Sequence, residues 1–275
     1  MQPENLDFIA KFLKDRSGLV VTADKGYLLD SRLTPLARKR AIKDVDSLVQ
    51  QLRTGRDAEL ERAVVEAMTT NESFFFRDGK PFDQFRDVVL PALMQARASR
   101  KSFRIWCAAA SSGQEPYTIA MILKEQAAKL AGWKVEIVGT DISHDILDRA
   151  KKGVYSQFEV QRGLPIQMLV KYFKKKDELW QIDDSLRAMV DYRHHNLLQD
   201  LKSLGKFDVV FCRNVLIYFD QPTKTRVLDG IAAQMPADGW LYLGGAETVL
   251  GLTERFKPIA TQRGVYSLTG APAKV

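Results

Sequence analysis

The feature that most constrains this chain is a change of hydrophobic period near residue 102. Before it, apolar residues recur at helical spacing: Phe8, Ile9, Phe12 and Leu13, then Leu48, Val49 and Leu52, then Leu60, Val64, Val65 and Met68. Gly18, Gly26 and Gly55 punctuate these runs. Pro81 suits the first turn of a further helix running toward Leu90 and Pro91. After residue 102 the apolar runs become short: Phe103-Arg-Ile-Trp-Cys, Val135-Glu-Ile-Val-Gly, Phe207-Asp-Val-Val-Phe-Cys, Leu241-Tyr-Leu and Gly264-Val-Tyr-Ser-Leu. Helical patterns separate them. One runs from Tyr117 to Leu130, one follows a cap at Ser143 with Ile146, Leu147 and Ala150 on one face, and one opens at Pro222 and ends before Pro236. Strands alternating with helices predict a parallel, doubly wound sheet. Residues 154–190 break that rhythm and read as an insertion. The expected organisation is an all-helical segment 1–75, helices linking 76–100, and an α/β domain 101–275.

Composition excludes several classes. No window approaches the roughly 18–20 apolar residues of a membrane span, and the acidic, mixed N-terminus does not read as a signal peptide. Two cysteines, Cys107 and Cys212, are too few for a disulfide scaffold or a multi-cysteine zinc site, and a reduced cytoplasmic compartment is the default. His194-His195 has no accompanying ligand set, so no metal is expected. The net charge of +7 is clustered. Residues 31–43 carry Arg32, Arg38, Lys39, Arg40 and Lys43 with no acid. Residues 151–176 carry Lys151, Lys152, Arg162, Lys171, Lys174, Lys175 and Lys176 against Glu159. Such patches suit an acidic partner or a solvated face.

The first strand runs into Ala108-Ala-Ala-Ser-Ser-Gly113 and then a helix with Pro116 in its first turn. Small residues there let the backbone approach a ligand. With one glycine this is neither a dinucleotide loop nor a phosphate-cradling loop. Glu115 would repel a pyrophosphate and favour an ammonium or sulfonium group. Asp141, at the end of the second strand, can accept both hydroxyls of a ribose or cap a helix through 142–144. Gly113, Glu115 and Asp141 together favour S-adenosylmethionine over a nicotinamide cofactor.

Four segments then carry a resemblance: Thr69-Thr-Asn-Glu-Ser-Phe-Phe-Phe-Arg77, Cys107-Ala-Ala-Ala-Ser-Ser-Gly-Gln-Glu-Pro-Tyr-Thr-Ile-Ala120, Gly139-Thr-Asp-Ile-Ser143, and Phe207-Asp-Val-Val-Phe-Cys-Arg-Asn-Val-Leu-Ile-Tyr-Phe-Asp220. In order and spacing they resemble the chemotaxis-receptor glutamate O-methyltransferases, the CheR family. The resemblance implies a Rossmann-like S-adenosylmethionine-dependent methyltransferase domain of α/β class. It also implies a small antiparallel β-subdomain inserted at about 154–190, and an all-α N-terminal domain ahead. It implies cofactor contacts at Asn71, Ser73, Arg77, Glu115, Asp141, Asn196, Leu197, Asn214 and Val215, beside the Ala108–Gly113 loop. Ser73 stands where a threonine is common, and keeps the hydroxyl. Tyr218 and Arg77 match positions near the transferring methyl.

The implied substrates are glutamates on the cytoplasmic helices of membrane chemoreceptors, with S-adenosylhomocysteine as product. A glutamate carboxylate is ionised at neutral pH and needs no general base. A basic helix at 31–43 (Arg32, Arg38, Lys39, Arg40 and Lys43) would dock on the acidic receptor, with Pro35 limiting where that helix begins. Lys174-Lys-Lys-Asp-Glu-Leu-Trp-Gln181 lacks the Gly-rich loop with which some members hold a receptor peptide, so a tether-independent, monomeric cytoplasmic enzyme recruited to receptor arrays is expected. The rival readings are a nucleic-acid methyltransferase, which Arg213-Asn-Val-Leu does not match, a methyltransferase of another acidic protein, and a CheR-like adaptor. Cys107 and Cys212 are expected on neighbouring strands, reduced.

Overall fold

The computed structural model describes residues 2–22 and 25–271. The chain divides into two compact units, one running to Thr70 and including Tyr218–Thr223, the other comprising Asn71–Ile217 and the chain from Lys224 onward.

The first unit is built on four helices, α1 (Pro3–Ser17), α2 (Gly26–Lys39), α3 (Val45–Arg53) and α4 (Ala58–Met68). Local chemistry sets their ends. Asp44 caps α3 by accepting the Ser47 N–H at 2.7 Å, and Asp57 caps α4 by accepting the Leu60 N–H at 2.8 Å. Ile9, Leu13, Leu48 and Val64 are fully buried, as the periodicity predicts, and Leu29 and Leu33 of α2 are buried with them. α2 departs from expectation at both ends. Pro35 lies inside it rather than at its start. Pro35 and Ser31 are both exposed, so the carbonyl that Pro35 leaves unpaired faces water. The helix also stops at Lys39 and does not continue through 43. Ala41 takes φ 55°, and the Ile42 N–H returns to the Ala37 carbonyl at 2.9 Å, a Schellman closure that leaves Lys43 beyond the helix.

The second unit opens with a helical run, α5 (Lys80–Gln84), a π-helical turn Phe85–Val89 and α6 (Leu90–Ala96). In the π turn the Leu90 N–H reaches the Phe85 carbonyl. Pro91 follows directly and cannot donate.

A seven-stranded sheet comes next, in the order β6-β2-β1-β7-β8-β10-β9. Its strands are β1 (Ser102–Ala108), β2 (Lys134–Asp141), β6 (Val190–His194), β7 (Val209–Cys212), β8 (Trp240–Leu243), β9 (Phe256–Pro258) and β10 (Val265–Leu268). β10 is antiparallel to both its neighbours and the other pairings are parallel. Helices α7 (Gln114–Glu125), α8 (His144–Lys152) and α12 (Gln221–Ala233) connect strands, and α7 ends five residues before the pattern's Leu130. Between α8 and β6 lies the insertion, a separate antiparallel sheet β3-β5-β4. It comprises β3 (Val154–Ser156), β4 (Phe173–Lys176) and β5 (Leu179–Ile182), with α9 (Gln157–Gln161), α10 (Ile166–Tyr172) and α11 (Asp184–Arg187).

β1 and β7 are neighbours, as expected, with Ala108 opposite Cys212 and Cys107 opposite Phe211. The two cysteines are one register step apart, so they point to opposite faces of the sheet. Both are free and buried, and this geometry rules out a bond between them.

Candidate functional site

β2 lies on one side of β1 and β7 on the other, which makes the C-terminal ends of β1 and β7 the topological switch point of the sheet. Ligands of open α/β sheets bind at such a point. The loop after β1 is tightly turned: Ala109, Ser111 and Gly113 have φ of 58°, 52° and 94°. Gly113 is required twice over. Its φ disfavours a side chain, and a Cβ there would sit 2.6 Å from the Tyr192 hydroxyl oxygen.

Asp141 organises this loop. Its Oδ2 accepts the Ser111 N–H at 2.9 Å and its Oδ1 the Ser143 N–H at 3.0 Å. The cap of α8 is Ser143 itself, whose hydroxyl accepts the Ile146 N–H. The Asp141 carbonyl accepts the His195 N–H at 2.9 Å, bringing the segment after β6 to the end of β2. There Asn196 makes a turn through its own Oδ1, which accepts the Leu198 N–H at 3.0 Å, and Leu197 sits half-buried within that turn. Ser111 donates its hydroxyl to the Asn71 carbonyl at 2.8 Å, so the 71–77 segment joins the same loop.

In that segment Phe75 is fully buried and packs edge-on against Tyr155 and Phe173. Phe74, half-buried, carries the guanidinium groups of Arg77 and Arg162 at 5.3 and 4.2 Å. Arg77 also donates to the Glu72 carbonyl at 2.9 Å. Ser73 is half-buried in the same non-helical stretch, and Ala108 is the last residue of β1.

The loop after β7 is held by charge. Arg213, its side chain only 1% exposed, donates to Glu115 Oε2 at 2.8 Å, Asp78 Oδ2 at 2.6 Å and the Arg77 carbonyl at 3.0 Å. Glu115 stands in the first turn of α7. Burial pushes its carboxyl up from the usual 4.5, and the Arg213 charge opposes that shift. The glutamate read as a partner for a ligand cation is therefore already paired with a protein cation. Asn214 follows with φ 58°.

One organising residue escaped the sequence reading. Glu247 accepts the N–H groups of Asn214, Val215 and Ile217 at 2.8, 2.9 and 3.3 Å, and that of Gly244 at 2.7 Å. Its signal in the sequence is an acid two residues beyond the Gly244-Gly245 pair that follows a strand.

Three groups of hydrogen bonds thus organise these residues: Asp141 with the Ser111 loop and Asn71, Arg213 with Glu115, Asp78 and Arg77, and Glu247 with Asn214 and Val215. Tyr218 closes a 3₁₀ turn Leu216–Tyr218. Its segment belongs to the first unit, where its carbonyl accepts the Val20 N–H at 2.9 Å.

The basic residues of 31–43 divide. Arg32 is spent on the end of α4, donating to the Met68 and Thr69 carbonyls at 2.6 and 3.1 Å and to the Thr70 hydroxyl at 2.9 Å. Arg40 faces Asp57 at 3.4 Å and Glu59 at 3.8 Å. Arg38, Lys39 and Lys43 are exposed. His194 stacks on His144 with centroids 3.8 Å apart and bonds the Ile142 carbonyl. No acid–histidine–cysteine cluster fit for a metal occurs among the described residues.

Asp141 ends β2, where an acid in such a sheet meets ribose hydroxyls, and Glu115 opens α7 beside the loop after β1, where a phosphate would be repelled. The family model described as the CheR methyltransferase SAM-binding domain matches residues 71–265, and that of the CheR methyltransferase all-alpha domain matches residues 4–69. The chain belongs to the CheR methyltransferase family. It is 40% identical over 271 residues to chemotaxis protein methyltransferase 1 of Pseudomonas aeruginosa, covering 96% of this chain and 98% of that one. To chemotaxis protein methyltransferase 1 of Vibrio cholerae it is 39% identical over 265 residues, 95% of each chain. To the Escherichia coli chemotaxis protein methyltransferase it is 32% identical over 269 residues, 95% of this chain and 89% of that one. S-adenosylmethionine is the cofactor of a CheR SAM-binding domain, and the switch-point residues suit it.

Proposed function

We propose that this CheR methyltransferase acts in bacterial chemotaxis by forming methyl esters on glutamate side chains of membrane chemoreceptors, resetting receptor output during adaptation. The observation that carries the reading is the match to chemotaxis protein methyltransferases through both the all-alpha and the SAM-binding domain.

Asn71, Ser73, Arg77, Ala108, Gly113, Glu115, Asp141, Asn196, Leu197, Asn214 and Val215 would hold S-adenosylmethionine, with Asp141 taking the ribose hydroxyls. The cofactor supplies an electrophilic methyl on a positively charged sulfur. The acceptor glutamate is already ionised at neutral pH, so no side chain of the protein has to remove a proton. The protein's task is to strip water from that carboxylate and hold one oxygen in line with the methyl. An anion meeting a cation loses charge on the way, so a guanidinium gripping the acceptor would stabilise the reactant more than the transition state. Arg213 exerts no such grip, since Glu115 and Asp78 already occupy it. Tyr218 positions the acceptor or the methyl through its hydroxyl, and Arg77 orients a carboxylate of substrate or cofactor.

Receptor docking falls to Arg38, Lys39 and Lys43, since Arg32 and Arg40 have partners within the helical unit. Attraction to an acidic receptor helix speeds encounter and weakens with salt. β4 and β5 are joined by a two-residue turn, Asp177-Glu178, with Asp177 at φ 55° and no glycine. That short turn supports an enzyme that works without a receptor-peptide tether, as a monomer at the receptor array.

The test is transfer of a labelled methyl from S-adenosylmethionine to a purified receptor cytoplasmic fragment. The expected product releases methanol on treatment with base, and Tyr218→Phe lowers turnover while binding the cofactor normally. Label that resists base points to another acceptor chemistry, such as a nucleic acid. Cofactor binding without any transfer points to an adaptor.

A further inference from the structure

We infer that Glu247 is the positioning residue of the cofactor site: it sets the backbone of the 214–217 turn so that Asn214 and Val215 can hold S-adenosylmethionine. The inference rests on the reading of Asn214 and Val215 as cofactor ligands.

Glu247 is 9% exposed, yet no ion pair reaches it among the described residues. Its charge is met instead by four backbone N–H groups. Oε2 takes those of Asn214 and Gly244, and Oε1 takes those of Val215 and Ile217. Bonds of this kind to an ionised acceptor are about twice as strong as neutral ones. Three of the four donors belong to one short turn. That turn contains Asn214 in the left-handed region, a conformation a non-glycine residue keeps only when its surroundings impose it.

Peptide planarity extends the effect. With the N–H groups of Asn214 and Val215 turned toward Glu247, the carbonyls of Arg213 and Asn214 face the opposite way. One carboxylate thereby fixes the direction of two successive peptide planes at the end of β7. Gly244 makes room for it, since a Cβ there would lie 2.7 Å from Glu247 Oε2 and 2.9 Å from the Asn214 nitrogen. Gly244 is absent from the positive-φ positions, so that close approach, not backbone freedom, is what requires glycine there.

A merely structural clamp would affect stability alone, whereas a positioning clamp affects cofactor affinity beyond its effect on stability. Glu247→Gln keeps the shape but turns one acceptor into a donor facing N–H groups. Gly244→Ala pushes on the same clamp from the other side. Leu228→Ala, in the buried face of α12, provides loss of stability while removing none of the bonds to Glu247.

The experiment is calorimetric titration of each full-length variant with S-adenosylhomocysteine, beside thermal unfolding and initial rates of methyl transfer. Glu247→Gln and Gly244→Ala are expected to weaken binding on the order of tenfold or more, with KM for S-adenosylmethionine rising more than kcat falls. Leu228→Ala is expected to bind like the parent despite a lower Tm. Parent-like affinity in Glu247→Gln, or in Gly244→Ala should the first not fold, overturns the inference, as does equal weakening in Leu228→Ala. Asn214→Gly, which keeps the left-handed backbone, separates the two levels. If it binds like the parent, the ligand reading itself fails and the inference falls with it. If it is weakened and Glu247→Gln is not, the positioning role alone is wrong.

Discussion

The loops after β1 and β7 both turn through left-handed backbone, and each is anchored by a carboxylate from elsewhere in the chain. They differ in what else supports them. The first is wedged by shape: Gly113 fits under Tyr192, Ser111 bonds the Asn71 carbonyl, and Asp141 takes two N–H groups. The second hangs on charge: Arg213 is buried between Glu115 and Asp78, and Glu247 takes four N–H groups. The first loop is therefore tested most directly by added volume at Gly113, and the second by lost charge at Arg213.

The largest expected effect is in the charged loop. Arg213→Met leaves Glu115 desolvated and without its counter-ion, a change that costs about 3 kcal/mol or more. Urea unfolding measures it, and Glu115→Gln added to the same chain should restore part of the loss. No recovery in the double variant would mean that the pair is not what holds the loop. Next comes the shape-held loop. Gly113→Ala should cost about 1–3 kcal/mol from backbone strain and the approach to Tyr192. Adding Tyr192→Phe, which removes the crowded hydroxyl, should recover part of it, whereas it does nothing for Arg213→Met.

A smaller effect appears with pH. The Glu115 carboxyl is raised above its usual 4.5, so the folded state holds that proton more tightly than the unfolded chain. Its contribution to stability is present below that value and lost as pH rises through the raised one. Relative to the parent, Glu115→Gln should therefore gain stability between acid and neutral pH, seen as converging or crossing unfolding midpoints. Smallest is a half-buried carboxylate with a similar task. Asp220 accepts the Thr223 N–H at 3.0 Å and pairs with Lys14 at 2.7 Å, and these hold its carboxyl down at about 2. Its contribution is present at neutral pH and lost as pH falls from the usual 3.8 toward about 2. Asp220→Asn should cost about 1 kcal/mol or less at neutral pH, checked by thermal unfolding.

The same contrast explains how much was legible in the sequence. Asp141, Gly113 and the strands before them announce themselves locally, because a short apolar run followed by small residues or an acid is a contiguous signal. The helical first domain is readable from its period; the break in rhythm marks 154–190 as an insertion, and its antiparallel sheet is what the family resemblance implies. Glu247 was not, because its partners are backbone N–H groups up to 33 residues away and backbone donors leave no mark on residue identity. Arg32 carries no local sign of its capping role, because the carbonyls it caps lie 36 and 37 residues on. The end of α2 before Lys43 leaves no mark in the sequence, because nothing in Arg40-Ala41-Ile42 resembles the glycine that normally ends a helix. β6 went unread because it follows the insertion directly and its alternating Val190, Tyr192 pattern sits at a sheet edge.

The central claim is that a chemoreceptor glutamate is the methyl acceptor. Mass spectrometry of receptor peptides, after incubation with the purified protein and S-adenosylmethionine, tests it most directly. The account predicts a gain of one methylene unit on particular glutamates, reversed by mild base and absent from aspartates, lysines and the peptide termini. A receptor left unmodified by a protein that binds the cofactor, or a base-stable methyl on any other residue, would contradict it.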